Sequence, residues 1–161
     1  MKKLMWVVLC LSLFAVPSHA QETPAWDAAV GYSYLHTGGT GFNGVSGSVA
    51  YNVNNVLGAV GDLGIVHATG TTITSYTFGP RFNYRMEKVS PYFEVLFGGS
   101  HFHDGVNPFT YAIEGGADLN LTRDGTVGLR PEMGYMGFRE NGSTLNGFRF
   151  GLSLVFHLGQ E

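Results

Sequence analysis

Bulky apolar residues alternate with small or polar ones, with a period of two, through eight successive segments after residue 20. A period of two belongs to a β-strand with unlike faces, and no segment repeats apolar residues at the i, i+3, i+4, i+7 spacing of a helix. The segments cover about 26–35, 44–53, 57–67, 74–86, 91–101, 109–121, 126–137 and 147–158. In the fourth, Tyr76, Phe78, Pro80, Phe82 and Tyr84 alternate with Thr77, Gly79, Arg81, Asn83 and Arg85. In the eighth, Phe148, Phe150, Leu152, Leu154, Phe156 and Leu158 alternate with Arg149, Gly151, Ser153 and His157. The segment centres lie roughly 14 to 20 residues apart, as a tilted membrane strand plus its turn requires.

The inequality of the two faces selects an architecture. A soluble sandwich points its apolar face inward and its polar face to water. Here the second face is glycine, serine, asparagine and charge, from which no core can be built, while the first is too aromatic to leave in water. Lipid resolves this: bulky residues face acyl chains and small or polar ones face a lumen. Backbone groups in lipid must all be paired, so the sheet must close, and eight strands enclose just enough room for side chains. The expected fold is all-β, an eight-stranded antiparallel transmembrane up-and-down β-barrel. Aromatics near both ends of the strands fit a double girdle. Tyr34, Tyr76, Tyr111, Tyr135 and Phe148 lie toward one rim, and Tyr51, Tyr84, Phe93 and Phe156 toward the other.

Three connections read as tight turns, at 53–56, 86–90 and 122–125; the others, at 36–43, 67–72, 102–108 and 138–146, read as looser and more polar. Short turns on one rim and longer loops on the other are the outer-membrane pattern. An even strand number then puts both termini on the short-turn, periplasmic rim. Pro80 and Pro131 fall in mid-strand, where neither can donate to a ladder, so a bulge or a locally missing bond is expected at each.

Residues 1–20 read as a signal peptide: Lys2 and Lys3, an apolar stretch from Leu4 to Val16, and the small-residue site Pro17-Ser18-His19-Ala20. The apolar stretch is shorter than the ~20 residues of a spanning helix. The barrel domain is then 21–161. The one cysteine of the chain, Cys10, leaves with the signal, which excludes disulfides and cysteine-ligated metal. Without Lys2 and Lys3 the chain has seven basic against twelve acidic side chains, which argues against nucleic acid as a partner. Aromatics at 14% and charge at only 13% exclude a disordered chain.

The inward rows carry Asp62, Glu94, Glu114, Asp118 and Glu132 against Arg81, Arg85, Arg130 and Arg149. Charges of near-balanced sign in one narrow ring should pair, because an unpaired one costs several kcal/mol there. A structural plug of ion pairs is therefore the expected role of the lumen.

The stretch from about 57 to 159 resembles the outer-membrane protein β-barrel family, the relatives of outer membrane proteins A and X. The matching pieces are Tyr76-Thr77-Phe78-Gly79-Pro80-Arg81-Phe82, Pro91-Tyr92-Phe93 with Val95-Leu96-Phe97-Gly98-Gly99, Gly115-Gly116-Ala117-Asp118 and Phe150-Gly151-Leu152-Ser153. The first two strands match in pattern only. The resemblance implies a non-enzymatic barrel in a Gram-negative outer membrane, surrounded by outer-membrane lipid and handled by periplasmic chaperones and the outer-membrane assembly machinery. It also implies an assembly signal, matched by Arg149, Gly151, Leu154 and Phe156, although five residues follow Phe156. A peptidoglycan-binding domain and cell-wall anchoring are not implied.

No cofactor is expected, and no phosphate loop, dinucleotide fingerprint or catalytic triad is present in the sequence. The role expected is structural or surface-interacting, with any extracellular ligand unidentified. The alternative is a small barrel enzyme acting on lipid, or a rim binder of ligand or metal. Its best candidates are His101, His103 and Asp104, since imidazoles at i and i+2 of a strand face one way and can share an ion. His36 and His67 should lie on the same rim.

Overall fold

The structure, a computed structural model, describes residues 24–86 and 88–159. The expected signal peptide lies outside the described residues. Eight strands form: β1 (Trp26–Thr37), β2 (Thr40–Asn52), β3 (Leu57–Ala68), β4 (Thr71–Asn83), β5 (Val89–Phe102), β6 (Phe109–Asn120), β7 (Val127–Glu140) and β8 (Ser143–Leu158). Each pairs antiparallel with its neighbour in the chain. The ring closes where β1 meets β8, from Trp26↔Leu158 to Thr37↔Gly147. The expected closed eight-stranded up-and-down barrel is what the chain forms.

The connections overturn the reading of loop lengths. Gly38-Gly39, Thr69-Gly70 and Asn141-Gly142 alone join β1 to β2, β3 to β4 and β7 to β8. All six residues have positive φ, as type I′ hairpins require. Polar residues expected to be loop, among them His36, Asn43, Thr72 and Asn146, remain in the ladders. The one longer connection on this hairpin rim is 103–108. The opposite rim, with both termini, has the longer turns 53–56, 84–88 and 121–126. Loop length therefore does not tell the two rims apart in the expected sense.

Strand faces follow the sequence pattern. Val30, Tyr32, Leu63, Phe78, Met133 and Phe150 are among the large apolar side chains exposed on the outer wall. Aromatic contacts bind this wall at both rims. Tyr135 lies 6.2 Å from Tyr111 and 5.8 Å from Phe148 near the hairpins, and Trp26 lies 4.9 Å from Tyr51 near the termini. At the prolines pairing is interrupted without a bulge. The β4–β5 ladder passes from Phe78↔Phe97 to Arg81↔Glu94 in unbroken register, skipping Pro80. The β6–β7 ladder passes from Gly116↔Glu132 to Leu119↔Leu129, skipping Pro131. Each ring nitrogen faces the interrupted side, and the other neighbour of each proline remains paired.

The interior differs from a uniformly polar lumen. Its hairpin half is an apolar core that includes Leu35, Val66, Ile73, Leu96, Met136 and Phe138. The expectation that bulky residues face only outward fails here. The strands run 12 to 16 residues and continue past the apolar part of the outer wall. The surplus lies toward the hairpins, where outward positions turn polar at His36, His67, His101 and Arg139. A segment wetted outside is stabilised by burying apolar side chains inside. Below this plug lies a cavity of about 10 Å³ bordered by Ser33, Ser75 and Arg149, room for one water.

Gly142 has φ +85°, so Gly142→Ala should lower stability by about 1 kcal/mol, read from urea unfolding in micelles. At Gly61 an added Cβ meets nothing within 4 Å, so Gly61→Ala should cost nothing by the same measure. In the β6–β7 turn, hydrogen bonds from Thr122 and Thr126 hold the exposed Asp124 carboxyl down at about 2. Because the folded value lies below that of the unfolded chain, this stabilisation is complete above ~3.9 and disappears as pH falls toward the folded value. Carboxyl NMR should show Asp124 titrating below the usual aspartate range, and Asp124→Asn should remove that step.

Candidate functional site in the barrel lumen

The termini half of the lumen holds the charges. Arg81 on β4 donates from Nε to Glu94 directly opposite on β5, at 2.6 Å. Arg130 on β7 forks onto Asp118 of β6, Nε to Oδ1 at 2.6 Å and Nη2 to Oδ2 at 2.8 Å. Such bidentate pairs are strong and fix orientation. Arg149 on β8 is the hub. It donates to Asp62 across the barrel on β3 at 2.6 Å and to Glu114 on β6, and stands 4.0 Å from Glu132 on β7. Arg85, half-buried beyond the end of β4, reaches Asp27 at 3.3 Å. All nine charged residues read from the sequence thus lie inside the ring, each beside an opposite charge.

Glycines make these reaches possible. Glu114, Gly134 and Arg149 are consecutive partners across β6, β7 and β8. With no side chain on Gly134, Glu114 extends over it to the guanidinium; a Cβ there would come 2.8 Å from Glu114 Cβ. Tyr92, Gly116 and Glu132 repeat the device across β5, β6 and β7. The Tyr92 hydroxyl crosses Gly116 and donates to Glu132 at 2.9 Å. Tyr92 also lies between Arg81 and Arg130, whose guanidinium carbons stand 4.4 and 5.1 Å from its ring centre. This stacking adds cation–π attraction to two buried cations.

The sequence reading left Asp27, His157, Asn52 and Tyr92 out of the lumen network. Asp27 and His157 sit on the inward rows of β1 and β8, and they bond at 2.7 Å across the closing seam. Asn52 donates to the same carboxylate at 2.9 Å. Row parity alone would have placed both residues inside. Tyr92 falls within the fifth segment as read and shares the parity of Glu94, so row parity would have placed it inside as well.

The rim candidates remain apart from this network. His101 and His103 are exposed with Asp104 beside the 103–108 loop, and His36 and His67 do lie on the same rim. His101 Nδ1 bonds Asn107 at 2.7 Å. Among the described residues no three His, Cys, Asp or Glu side chains group to hold a metal. Of the assembly-signal residues, Arg149 and Gly151 face the lumen, while Leu154 and Phe156 face outward.

Neisserial surface protein A matches this structure with a TM-score of 0.58 at 14% identity, over 83% of this chain and 96% of that one. The attachment invasion locus protein Ail of Yersinia pestis matches with 0.54 at 18%, over 81% and 97%. OprG of Pseudomonas aeruginosa matches with 0.61 at 10%, over 85% and 98%. The fold is that of the small outer-membrane barrels. No protein-family model and no curated protein matches the sequence.

Arg149→Met would leave Asp62, Glu114 and Glu132 facing one another without their cation. It should cost roughly 3–5 kcal/mol in urea unfolding. Arg85→Met, near the rim, should cost about 1 kcal/mol or less. Gly151 offers a separate test. A Cβ on it would meet the Glu132 side chain, with the carboxyl carbon at 3.0 Å. Gly151→Ala should impair refolding in detergent, and adding Glu132→Ala should restore it. No restoration would show that Gly151 acts otherwise than by making room.

Proposed function

We propose that this chain is a non-enzymatic barrel of a Gram-negative outer membrane, akin to the relatives of outer membrane proteins A and X, with a structural role and a lumen closed to solutes. The observation that carries the reading is the inversion of its faces. Large apolar side chains such as Phe78, Met133 and Leu63 are 63–70% exposed on the outer wall, while Arg81, Arg130 and Glu94 are at most 2% exposed inside. Water would reverse that arrangement; lipid sustains it. Buried ion pairs over the termini half and an apolar plug over the hairpin half both fill the ring. Both termini share one rim, which we place on the periplasmic side, from which an exported chain enters. Chaperones, assembly machinery and outer-membrane lipid are the partners this implies.

A surface-interaction role has less to work with. Two of the similar structures are named for the surface or for attachment. Here, however, three of the four connections at the hairpin rim are two-residue turns, leaving 103–108 as the one longer loop offered to a partner.

Two measurements test the proposal. In cell fractionation the protein should sediment with the outer membrane and run faster on a gel unheated than boiled, because a closed ring has no edge to fray. Recovery in the soluble periplasm would overturn it. In planar bilayers the unmodified barrel should show no large, long-lived conductance. A steady open channel would mean that the lumen is not closed.

A further inference from the structure

At the hairpin rim β8 outruns β1. Pairing of β8 with β1 ends at Thr37↔Gly147, whereas pairing of β8 with β7 runs on to Glu140↔Ser143. The stretch from Ser143 to Asn146 therefore has a strand neighbour on one side only. The β1–β2 hairpin turns back at Gly38-Gly39 without reaching it, and all four of its residues are exposed. The Thr37 hydroxyl donates to the Asn146 carbonyl at 2.9 Å, so the backbone of Asn146 points to the β1 side. Successive residues of an antiparallel strand alternate in this direction. Ser143 and Leu145 thus turn their backbone groups to β7. Thr144 presents its N–H and C=O to the open side, where no residue of β1 stands opposite it.

This edge is not blunted by charge or proline, two of the usual ways in which a strand edge is protected. Ser143, Thr144, Leu145 and Asn146 carry neither. Arg139 and Glu140 are opposite Thr144 and Ser143 on β7, on the side away from the opening. Leu145 is 41% exposed and leans toward the β1–β2 turn. A Cβ on Gly38 would come 3.7 Å from its Cδ1, and one on Gly39 would meet nothing within 4 Å. Edge and turn together form a notch, with main-chain donors and acceptors along one wall, an apolar side chain beside them and glycine beneath.

We infer that this notch docks an extended polypeptide segment of another protein, which adds to β8 as a further strand. Free main-chain N–H and C=O groups at strand spacing recognise a main chain, and Leu145 favours an apolar side chain in the position beside it. A second copy in the same membrane does not fit. Strands of such barrels tilt by about 35–45°. The β8 strands of two copies related by rotation about the membrane normal would then cross at about 70–90° and could not lie side by side. The partner therefore approaches from beyond the bilayer, on the hairpin side. This placement rests on the lipid-embedded reading above.

The test is amide hydrogen exchange of the refolded protein in micelles. The probe is a capped peptide with the sequence of residues 135–140, the stretch of β7 that pairs with the other edge of 143–148. Without peptide the Thr144 amide should exchange much faster than that of Leu145. At millimolar peptide, exchange at Thr144 should slow roughly tenfold or more while Leu145 is unchanged. A backbone N-methylated analogue of the peptide should have no effect. Thr144→Pro removes a donor that serves no strand of the barrel, so the variant should keep its heat-dependent gel mobility and lose the slowing that the peptide causes at Asn146. No slowing at Thr144, equal slowing with the N-methylated peptide, or undiminished slowing at Asn146 in the variant would overturn the inference. So would a Thr144 amide that is already protected without peptide, since the edge would then be covered within the chain or, where protection rises with protein concentration, by a second copy. Protein without heat-dependent gel mobility would instead defeat the lipid-embedded reading, and the inference with it.

Discussion

A backbone amide in hydrocarbon has no water to fall back on, so each N–H and C=O must find a partner within the protein. For a chain of alternating strands, closing the ring is the solution that leaves no edge. Closure with eight strands fixes the interior width, and that width governs the inside. There is room for one layer of large side chains only if their neighbours are small. Glu114 beside Gly134 and Tyr92 beside Gly116 are the outcome, with glycine serving as the space into which a neighbouring side chain reaches. The glycine content of the chain, 24 residues, is thus in part a packing requirement.

The same constraint accounts for how the prolines are tolerated. A strand in a closed ring has neighbours on both sides, so a residue without an N–H must leave a gap somewhere. Pro80 and Pro131 each leave theirs on one side only, and the register continues past both. The gaps border the ion pairs Arg81–Glu94 and Arg130–Asp118. Side-chain bonds there bridge the same strand pairs that the backbone ladder locally fails to join.

Much of this was legible in the sequence because a period of two admits one geometry. Parity alone told which side of the wall Asp62, Arg81 or Phe78 would occupy, and the balance of inward charges announced pairing. The hairpin rim was not legible in the same way. His36, Asn43 and Thr72 are polar and were read as loop, but polarity there reflects a strand emerging from the apolar belt, not a strand ending. The decisive signal was conformational: Asn141-Gly142 and Gly38-Gly39 are sequences that accept positive φ at both turn positions. The apolar plug was hidden for a related reason. Phe42 and Ile73 lay outside the strands as read, while Leu35, Val66, Leu96 and Met136 lay inside them at inward parity but were outweighed by the small and polar residues of the same rows. Long-range partners were beyond reach too, since nothing in sequence spacing links Asp62 to Arg149.

The last strand holds a place in this design that its neighbours do not share. Among the described residues, six carboxylates, Asp27 included, and four guanidiniums meet in the lumen. The shortfall of cations is met by hydrogen-bond donors: Asn52 and His157 serve Asp27, and Tyr92 serves Glu132. Two of the residues that complete the network, Arg149 and His157, lie on β8. Arg149 ties β8 to β3 and β6 across the lumen, and His157 ties it to β1 at the seam where the ring closes. Until β8 docks, Asp62, Glu114 and Asp27 lack these partners, and a carboxylate drawn into a narrow interior without its partner is strongly disfavoured. Pairing of the backbone at the seam and pairing of charge in the lumen therefore reinforce one another. Closure of the sheet and filling of its interior become a single cooperative event, completed by the final strand of the chain.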